Sequence, residues 1–449
     1  MDYRKLPVLV VGMARSGVAA AALLAHAGAI PYINDRKTAS ELGDALKELP
    51  EGFVDCLGQD PVSLLDRVKL VVISPAVPVT APVVKAAKAA GIPVIAEIEL
   101  AYTLCRGAMC AVTGTNGKTT TVSLLGEIYR NAGFASHVVG NIGYPYSWAA
   151  IEAGDRDKTT VEVSSFQLET IDTFHPHAAA LLNITEDHLN RHGTMEEYIR
   201  LKRRVFENMD SNDVAVLNYD DETVRATVPP CPVAYFSRKE RLEEGAWVKD
   251  GIITVSHAGT DTPVCPASEV FIPGPHNLEN ALAATMVATA MGITPEVIAR
   301  TLRTFRGVEH RIETVETIDG VTYINDSKGT NVDSTVKAVE TMTRPTAIIL
   351  GGYDKHCDFA PLARCIKAHP QIALCIVMGD TANQIEKALR DEDIVPVRAT
   401  DMADAIRLGR ENAKDGWNVL LSPACASFDM FSDYEQRGRV FKEIVRAMK

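Results

Sequence analysis

No apolar run in the chain approaches the ~18 residues that a bilayer-spanning helix needs, so no transmembrane segment is expected. The N-terminus lacks a basic stretch followed by a long apolar core, which argues against a secretory leader. The nine cysteines are scattered, without a C-x-x-C pair or metal-type spacing. That usage predicts reduced thiols in a cytosol rather than a disulfide framework or a zinc site. Asn183-Ile184-Thr185 matches a glycosylation sequon, which has no meaning in such a compartment. Basic residues form no patch and the formal net charge is −12, so nucleic acid is not expected as the main partner. Fixed-period repeats and low-complexity segments are also missing.

What is present is an ordinary soluble globular composition over 449 residues, enough for two to four domains. The clearest feature is an apolar run ending at Thr113, then Gly114-Thr115-Asn116-Gly117-Lys118-Thr119-Thr120-Thr121 opening a helical pattern. Glycines let backbone N–H groups approach oxyanions, and a helix N-terminus adds its positive dipole. Lys118 can reach β- and γ-phosphates while the Thr119 hydroxyl ligates Mg²⁺. The loop is shorter than G-x-x-x-x-G-K-[ST], because Val112 stands where the first glycine would be. It predicts a nucleotide site.

The first hundred residues read as a Rossmann βαβ unit. A strand over 7–11 leads to Gly12-Met13-Ala14-Arg15-Ser16-Gly17, an alanine-rich helix to about residue 27, and a strand over 30–34 ending at Asp35. Such a layout offers a glycine turn and helix N-terminus to a diphosphate and an acid to a ribose. Ala14 replaces the second glycine, so NAD, another diphosphate nucleotide and a purely packing role for Gly12 and Gly17 all stay open. The strand 70–73 delivers Ser74 to a carboxyl edge, where such folds bind ligands.

Further on, 138–139 end in Gly140-Asn141-Ile142-Gly143. The apolar run 159–163 contains Glu162, a carboxylate that must be paired with neighbouring donors or bound to metal. The run 178–184 delivers Glu186, Asp187 and His188, and His188 suits either a Mg²⁺ or phosphate partner or a solvated surface. His188 and His192 are not an H-E-x-x-H zinc pair. A helix over 195–208 carries Lys202, Arg203 and Arg204, which composition assigns to an exposed basic face. Stretches 212–218 and 247–255 have β patterns. Asn277 and Asn280, a helical turn apart, suit either an adenine edge or a helix cap plus one buried amide. The last third repeats strand–glycine–helix units, at 346–350 with Gly351 and Gly352, at 373–378 with Gly379, and at 419–421 before Ser422. Alternation throughout predicts an α/β protein with parallel sheets covered by helices.

Taken together, residues 114–120, 140–143, 162–169, 183–188, 276–281, 325–331 and 422–438 resemble the Mur ligases of peptidoglycan synthesis over essentially the whole chain. The nearest likeness within the family is to the D-glutamate-adding member. The short phosphate loop is the form this family uses. The run Tyr434-Glu435-Gln436-Arg437-Gly438 looks specific to that member, and the Asp-Asn-Pro-Arg motif of the diamino-acid-adding sibling is missing. The resemblance implies three domains: a Rossmann-like UDP-binding domain over 1–97, a P-loop-type central ATPase domain over 98–308, and a Rossmann-like C-terminal domain over 309–449 that takes the amino acid. Hinges are expected near Glu97 and Val308.

The implied activity is ATP-dependent addition of D-glutamate to UDP-MurNAc-L-Ala by a cytoplasmic monomer, without membrane or nucleic-acid partners. Residues 114–121, Asn277 and Asn280 would hold ATP, with Arg311 and Asp326 closing on it from the third domain. Thr119 and Glu162 would serve one Mg²⁺, and His188 and Lys202 a second, with Lys202 carrying a CO₂-derived carbamate. UDP would lie on Gly12, Arg15, Ser16, Gly17, Asp35 and Ser74, with Asn141 near the sugar. Lys328, Thr330, Lys355, Ser427, Phe428 and Tyr434 would receive D-glutamate. Tyr434 stands where the family usually has Phe, and Lys37 where Arg is more usual. The catalytic set is Lys118, Glu162, His188 and Lys202. An NAD-dependent oxidoreductase would leave the phosphate loop without a task. A nucleotide switch would not need Glu162, His188 and Lys202 together. Folylpolyglutamate synthetase is the rival in chemistry, but the N-terminal unit is not expected there.

Overall fold

A computed structural model describes residues 2–42, 46, 49, 51–354 and 357–448. Among them are three sheets. The first has order β3-β2-β1-β4-β5, from β1 (Pro7–Val11), β2 (Ile30–Asn34), β3 (Val54–Asp55), β4 (Leu70–Ile73) and β5 (Val94–Ala96). All its pairs are parallel. β1 is central, and apolar all along its length, because both faces of a parallel sheet are covered. The alanine-rich helix Arg15–His26 lies over it. Small side chains let that helix approach closely, and Ala20, Ala21 and Leu24 join Ala149 and Tyr146 of the helix Tyr146–Glu152 in one core with Val8 and Val161.

The second sheet has order β14-β13-β12-β11-β10-β9-β6-β8-β7. Its strands are β6 (Ala108–Thr113), β7 (Ser136–Gly140), β8 (Lys158–Glu162), β9 (Ala178–Leu181), β10 (Val214–Asn218), β11 (Val233–Ser237), β12 (Gly245–Lys249), β13 (Ile252–His257) and β14 (Thr260–Pro266). β6 to β12 pair in parallel, but β12-β13-β14 is antiparallel. This departs from the all-parallel expectation, and the turn explains it. Asp250 (φ 48°) and Gly251 (φ 79°) both take left-handed backbone, the geometry of a two-residue hairpin turn whose twist matches its strands. The β pattern over 247–255 is therefore two strands.

The third sheet has order β15-β16-β20-β17-β18-β19, from β15 (Glu313–Ile318), β16 (Val321–Asn325), β17 (Thr346–Leu350), β18 (Ile372–Val377), β19 (Val397–Arg398) and β20 (Asn418–Leu421). Only β15 is antiparallel to its neighbour. The described residues form two compact units. One runs to Phe271 and resumes over Asn277–Phe305, and the other comprises Ile272–His276 and the chain from Arg306 on. No helix among the described residues is long and apolar enough to cross a membrane.

Candidate active site

Parallel register builds the site of the first unit. Val112 of β6 lies opposite Glu162 of β8, and Glu162 opposite Gly140 of β7. Thr113 of β6 lies opposite Leu181 of β9. Four strands therefore end together, bringing the glycine loop, Asn141, Glu162 and the segment after β9 to one edge. This is the crevice outside the carboxyl ends of strands where open α/β sheets take ligands.

The loop itself is over-determined. Gly117 (φ 85°) caps the helix Lys118–Asn131 in left-handed backbone, and a Cβ there would overlap Asn280 Oδ1. Asn183 Oδ1 accepts from Asn116 N (2.8 Å) and its Nδ2 donates to Asn116 O (3.1 Å). Thr115 Oγ1 donates to Thr185 O (3.1 Å), accepts from Thr185 N (3.0 Å) and meets Tyr198 Oη (3.2 Å). Thr121 Oγ1 reaches Asn280 Oδ1 at 3.4 Å, and Asn280 Nδ2 donates to Asn277 Oδ1 at 3.2 Å. Both amides are buried behind the loop. Tyr198 had no distinguishing signal in the sequence beyond its place on an amphipathic helix, and Asn183 stood out only as the first residue of the run 183–188 at a strand end.

Lys118 Nζ donates to the carbonyls of Gly114 and Thr115, both at 2.8 Å. Lys202 Nζ donates to the same Gly114 O at 2.8 Å and sits 4.6 Å from the centroid of the Tyr198 ring. Composition places Lys202 on an exposed face, yet it is only 2 % exposed. The helix Met195–Arg203 turns that side inward, under the loop. Burial, reinforced by the Lys118 charge and opposed by Asp187 and Glu162, holds the Lys202 ammonium well below the usual lysine range. An uncharged amine here is chemically able to add to CO₂, which an ammonium cannot do.

Glu162 is buried, with Oε1 accepting from Asn141 Nδ2 at 3.0 Å. Among the described residues its buried Oε2 has no hydrogen-bond partner, and neither has Thr185 Oγ1. A carboxylate oxygen left unpaired in the interior is costly, and a hard cation is the ligand such an oxygen accepts. Thr119 begins the same helix and is buried. The donor set fits magnesium. His188 has left-handed backbone (φ 56°) at the start of the turn Leu189–His192, its ring 4.7 Å from that of Phe166.

At the first sheet, Gly12, Gly17, Asp35 and Ser74 gather at the ends of β1, β2 and β4. Asp35 Oδ2 accepts from Met13 N (2.7 Å) and Oδ1 from Lys37 N (3.0 Å), so the acid braces the glycine turn. A Cβ on Gly17 would overlap the Gly12 carbonyl, so this glycine is required by close helix–strand approach. Arg15 and Ser16 open the helix.

In the second unit, Lys328 Nζ donates to Tyr434 Oη at 3.3 Å. Ser427 is buried and Phe428 is exposed, its ring 6.1 Å from that of Tyr353. Thr330 N donates to Lys328 O (2.8 Å). Lys355 lies outside the described residues. Arg437, fully buried, donates to Cys425 O, Ala426 O, Ser327 O and Ser327 Oγ at 2.8–3.1 Å. It clamps the loops that carry Ser427 and Lys328, a role not readable from the sequence. Burial raises the Asp326 carboxyl to about 6, against the pull of Arg311, Ser422 Oγ and Ile312 N.

Three family models match the chain: "Mur ligase MurD-like, N-terminal domain" over 7–96, "Mur ligase middle domain" over 112–288 and "Mur ligase, glutamate ligase domain" over 310–425. A curated relative from Pelotomaculum thermopropionicum, UDP-N-acetylmuramoylalanine–D-glutamate ligase, is 46 % identical across 100 % of this chain and 99 % of its own. The protein of the same name from Caldanaerobacter subterraneus is 44 % identical across 100 % of both. Among solved structures, UDP-N-acetylmuramate-alanine ligase from Thermotoga maritima superposes with a TM-score of 0.63 at 17 % identity, covering 99 % of this chain and 100 % of the other. That likeness establishes the fold.

Proposed function

The chain belongs to the Mur ligase family, and from that premise we propose that it joins D-glutamate to UDP-N-acetylmuramoyl-L-alanine while cleaving ATP to ADP. The observation that carries the proposal is a convergence in a chain 44 % identical along its full length to a ligase of that name. A glycine turn opening onto a helix, a buried carboxylate with an unpartnered oxygen and a buried lysine meet at one sheet edge. UDP binding is assigned to 1–97, ATP binding to 98–308 and amino-acid binding to 309–449.

A carboxylate is a poor electrophile until one of its oxygens becomes a leaving group. Transfer of the γ-phosphoryl group to the alanyl carboxylate gives an acyl phosphate. The amine of D-glutamate then attacks the carbonyl carbon and phosphate departs. The N–H groups of 114–121 hold the ATP phosphates, and Lys118 offsets charge spreading over the transferring oxygens. Thr119 and Glu162 would hold one magnesium ion and His188 and Lys202 a second, and the ions would supply charge neutralisation at the phosphoryl group. Lys202 would contribute after its neutral nitrogen bonds to the carbon of CO₂ and releases a proton, which turns a neutral amine into an anionic oxygen donor.

Gly12, Arg15, Ser16, Gly17, Asp35 and Ser74 take the UDP moiety, with Asn141 beside the sugar. Lys328, Thr330, Ser427, Phe428 and Tyr434 take D-glutamate. Its amine must be uncharged to attack, and His188, as a metal ligand, is not free to be a strong base. The test is ADP release with UDP-MurNAc-L-Ala and each candidate amino acid. Release that depends on both the nucleotide-sugar and D-glutamate is expected, and release without either requirement overturns the proposal. Activity on a folate substrate instead would favour the folylpolyglutamate-type alternative.

A further inference from the structure

The turn that carries His188 is tied to the first sheet by a residue with no role in the proposal above. Arg191 NH1 donates to the Pro75 carbonyl at 2.8 Å, immediately after Ser74 at the end of β4. Its Nε and NH2 donate to Glu169 Oε1 (3.1 Å) and Oε2 (2.6 Å), a bidentate pair that fixes the guanidinium plane. The face of that plane lies 4.1 Å from the Phe166 ring centroid, within cation–π range. Phe166 in turn packs on the rings of His188 (4.7 Å) and His192 (5.3 Å). His192 Nε2 is 3.0 Å from Ser165 Oγ. Arg191 and Glu169 are mostly buried, with side chains 18 % and 7 % exposed, so the pair is shielded from the screening that makes surface pairs weak.

Resting on the assignment of Ser74 to the UDP moiety and His188 to metal, we propose that Arg191 is a positioning residue coupling nucleotide-sugar binding to the His188 site. The rim that an occupant of the first sheet must touch is one end of the link. The Ser74 side chain backs onto Gly12, where a Cβ would come within 3.0 Å of Ser74 Cβ. The other end is the aromatic stack under His188. Ordering of the Ser74-Pro75 turn by a nucleotide-sugar fixes Arg191. Arg191 then fixes Phe166 and with it the rotational setting of the His188 turn, whose left-handed residue would otherwise relax. Linkage makes the effect reciprocal, so ordering at His188 tightens nucleotide-sugar binding by the same factor.

The experiment measures Mn²⁺ affinity by titration calorimetry or electron paramagnetic resonance, with a non-hydrolysable ATP analogue, with and without saturating UDP-MurNAc-L-Ala. The wild type should bind Mn²⁺ about five-fold or more tightly when the nucleotide-sugar is present, within the usual span of coupling between sites. In Arg191→Met the ratio should fall toward one, and the nucleotide-sugar KM should rise along with a drop in kcat. Arg191→Lys keeps the charge but not the fork, and should stay near the Met variant rather than restore coupling. Glu169→Gln, which leaves the Pro75 contact in place, serves as the second probe if Arg191→Met fails to fold, and should weaken the ratio partially. A wild type without coupling, or a folded Arg191 variant that retains it, overturns the inference. A wild type that binds no nucleotide-sugar and releases no ADP overturns the parent assignment as well.

Discussion

Gly117→Ala probes the phosphate loop with a single methyl group. Two separate penalties meet at this position. Backbone at φ 85° costs a residue with a Cβ about 1–2 kcal/mol. The new Cβ would also overlap Asn280 Oδ1 and sit 3.2 Å from Leu182 Cδ1. Relief requires Asn280 to swing away, giving up its contacts with Thr121 and Asn277, roughly 1 kcal/mol for each hydrogen bond lost. A loss of about 3–4 kcal/mol in the binding-competent loop corresponds to a roughly 150- to 1,000-fold fall in kcat/KM for ATP. Steady-state ADP release at varied ATP measures it. Asn280→Ala removes the obstacle but not the backbone penalty. Adding Gly117→Ala to that background should therefore cost only about 5- to 30-fold. Activity of Gly117→Ala within three-fold of wild type would refute the strain argument. Equal factors in both backgrounds would refute the overlap with Asn280.

Lys202→Ala should abolish most turnover, and small carboxylates should restore part of it by supplying the missing anionic oxygen; full activity without rescue would reduce Lys202 to a structural lysine. Asp326→Asn should remove a fall in stability between pH 4 and 7. The native Asp326 pKa of about 6 lies above the ordinary value near 4. Its contribution is therefore fully present below about pH 4 and lost as pH rises through about 6, a change on the order of 3 kcal/mol that denaturant titrations of wild type and variant at pH 4 and 7 would resolve. The same pH dependence in both proteins would reject that assignment.

Much of the fold was legible because buried parallel strands leave a plain trace: a short apolar run closed by glycine or a polar residue. β1, β2, β4 and β17 coincide with the runs read from the sequence. The phosphate loop was legible for a related reason, since only glycine supplies its left-handed turn next to Asn280. Composition misplaced Lys202 on an exposed face because a helix-face pattern records spacing and not what covers the face. Its burial depends on Tyr198 and on the Gly114 carbonyl, 88 residues away. Asn183 looked like a sequon because its partner, Asn116, belongs to another strand–loop unit. Arg437 and Arg191 bind backbone carbonyls, and a carbonyl has no side-chain signature to search for.

That last observation bears on how a chain of net charge −12 handles anionic substrates. Exposed cations here are matched with acids, as in Arg130–Glu127, Arg200–Glu197 and Arg407–Glu411, pairs that contribute little. Some inward-facing cations differ: Lys118, Lys202 and Arg437 donate to main-chain carbonyls, while buried Lys442 pairs with Glu309 and Glu313. A carbonyl satisfies the donor geometry while leaving the positive charge uncancelled, whereas a carboxylate would cancel it. For Lys202, burial beside the Lys118 charge favours loss of a proton. For Arg437, held by four bonds, the charge stays, although burial lowers its pKa to about 10. A cation held by backbone oxygen is thus either a lysine inclined to lose its proton or an arginine that clamps two loops. Which one results is set by side-chain type and by the neighbouring charge.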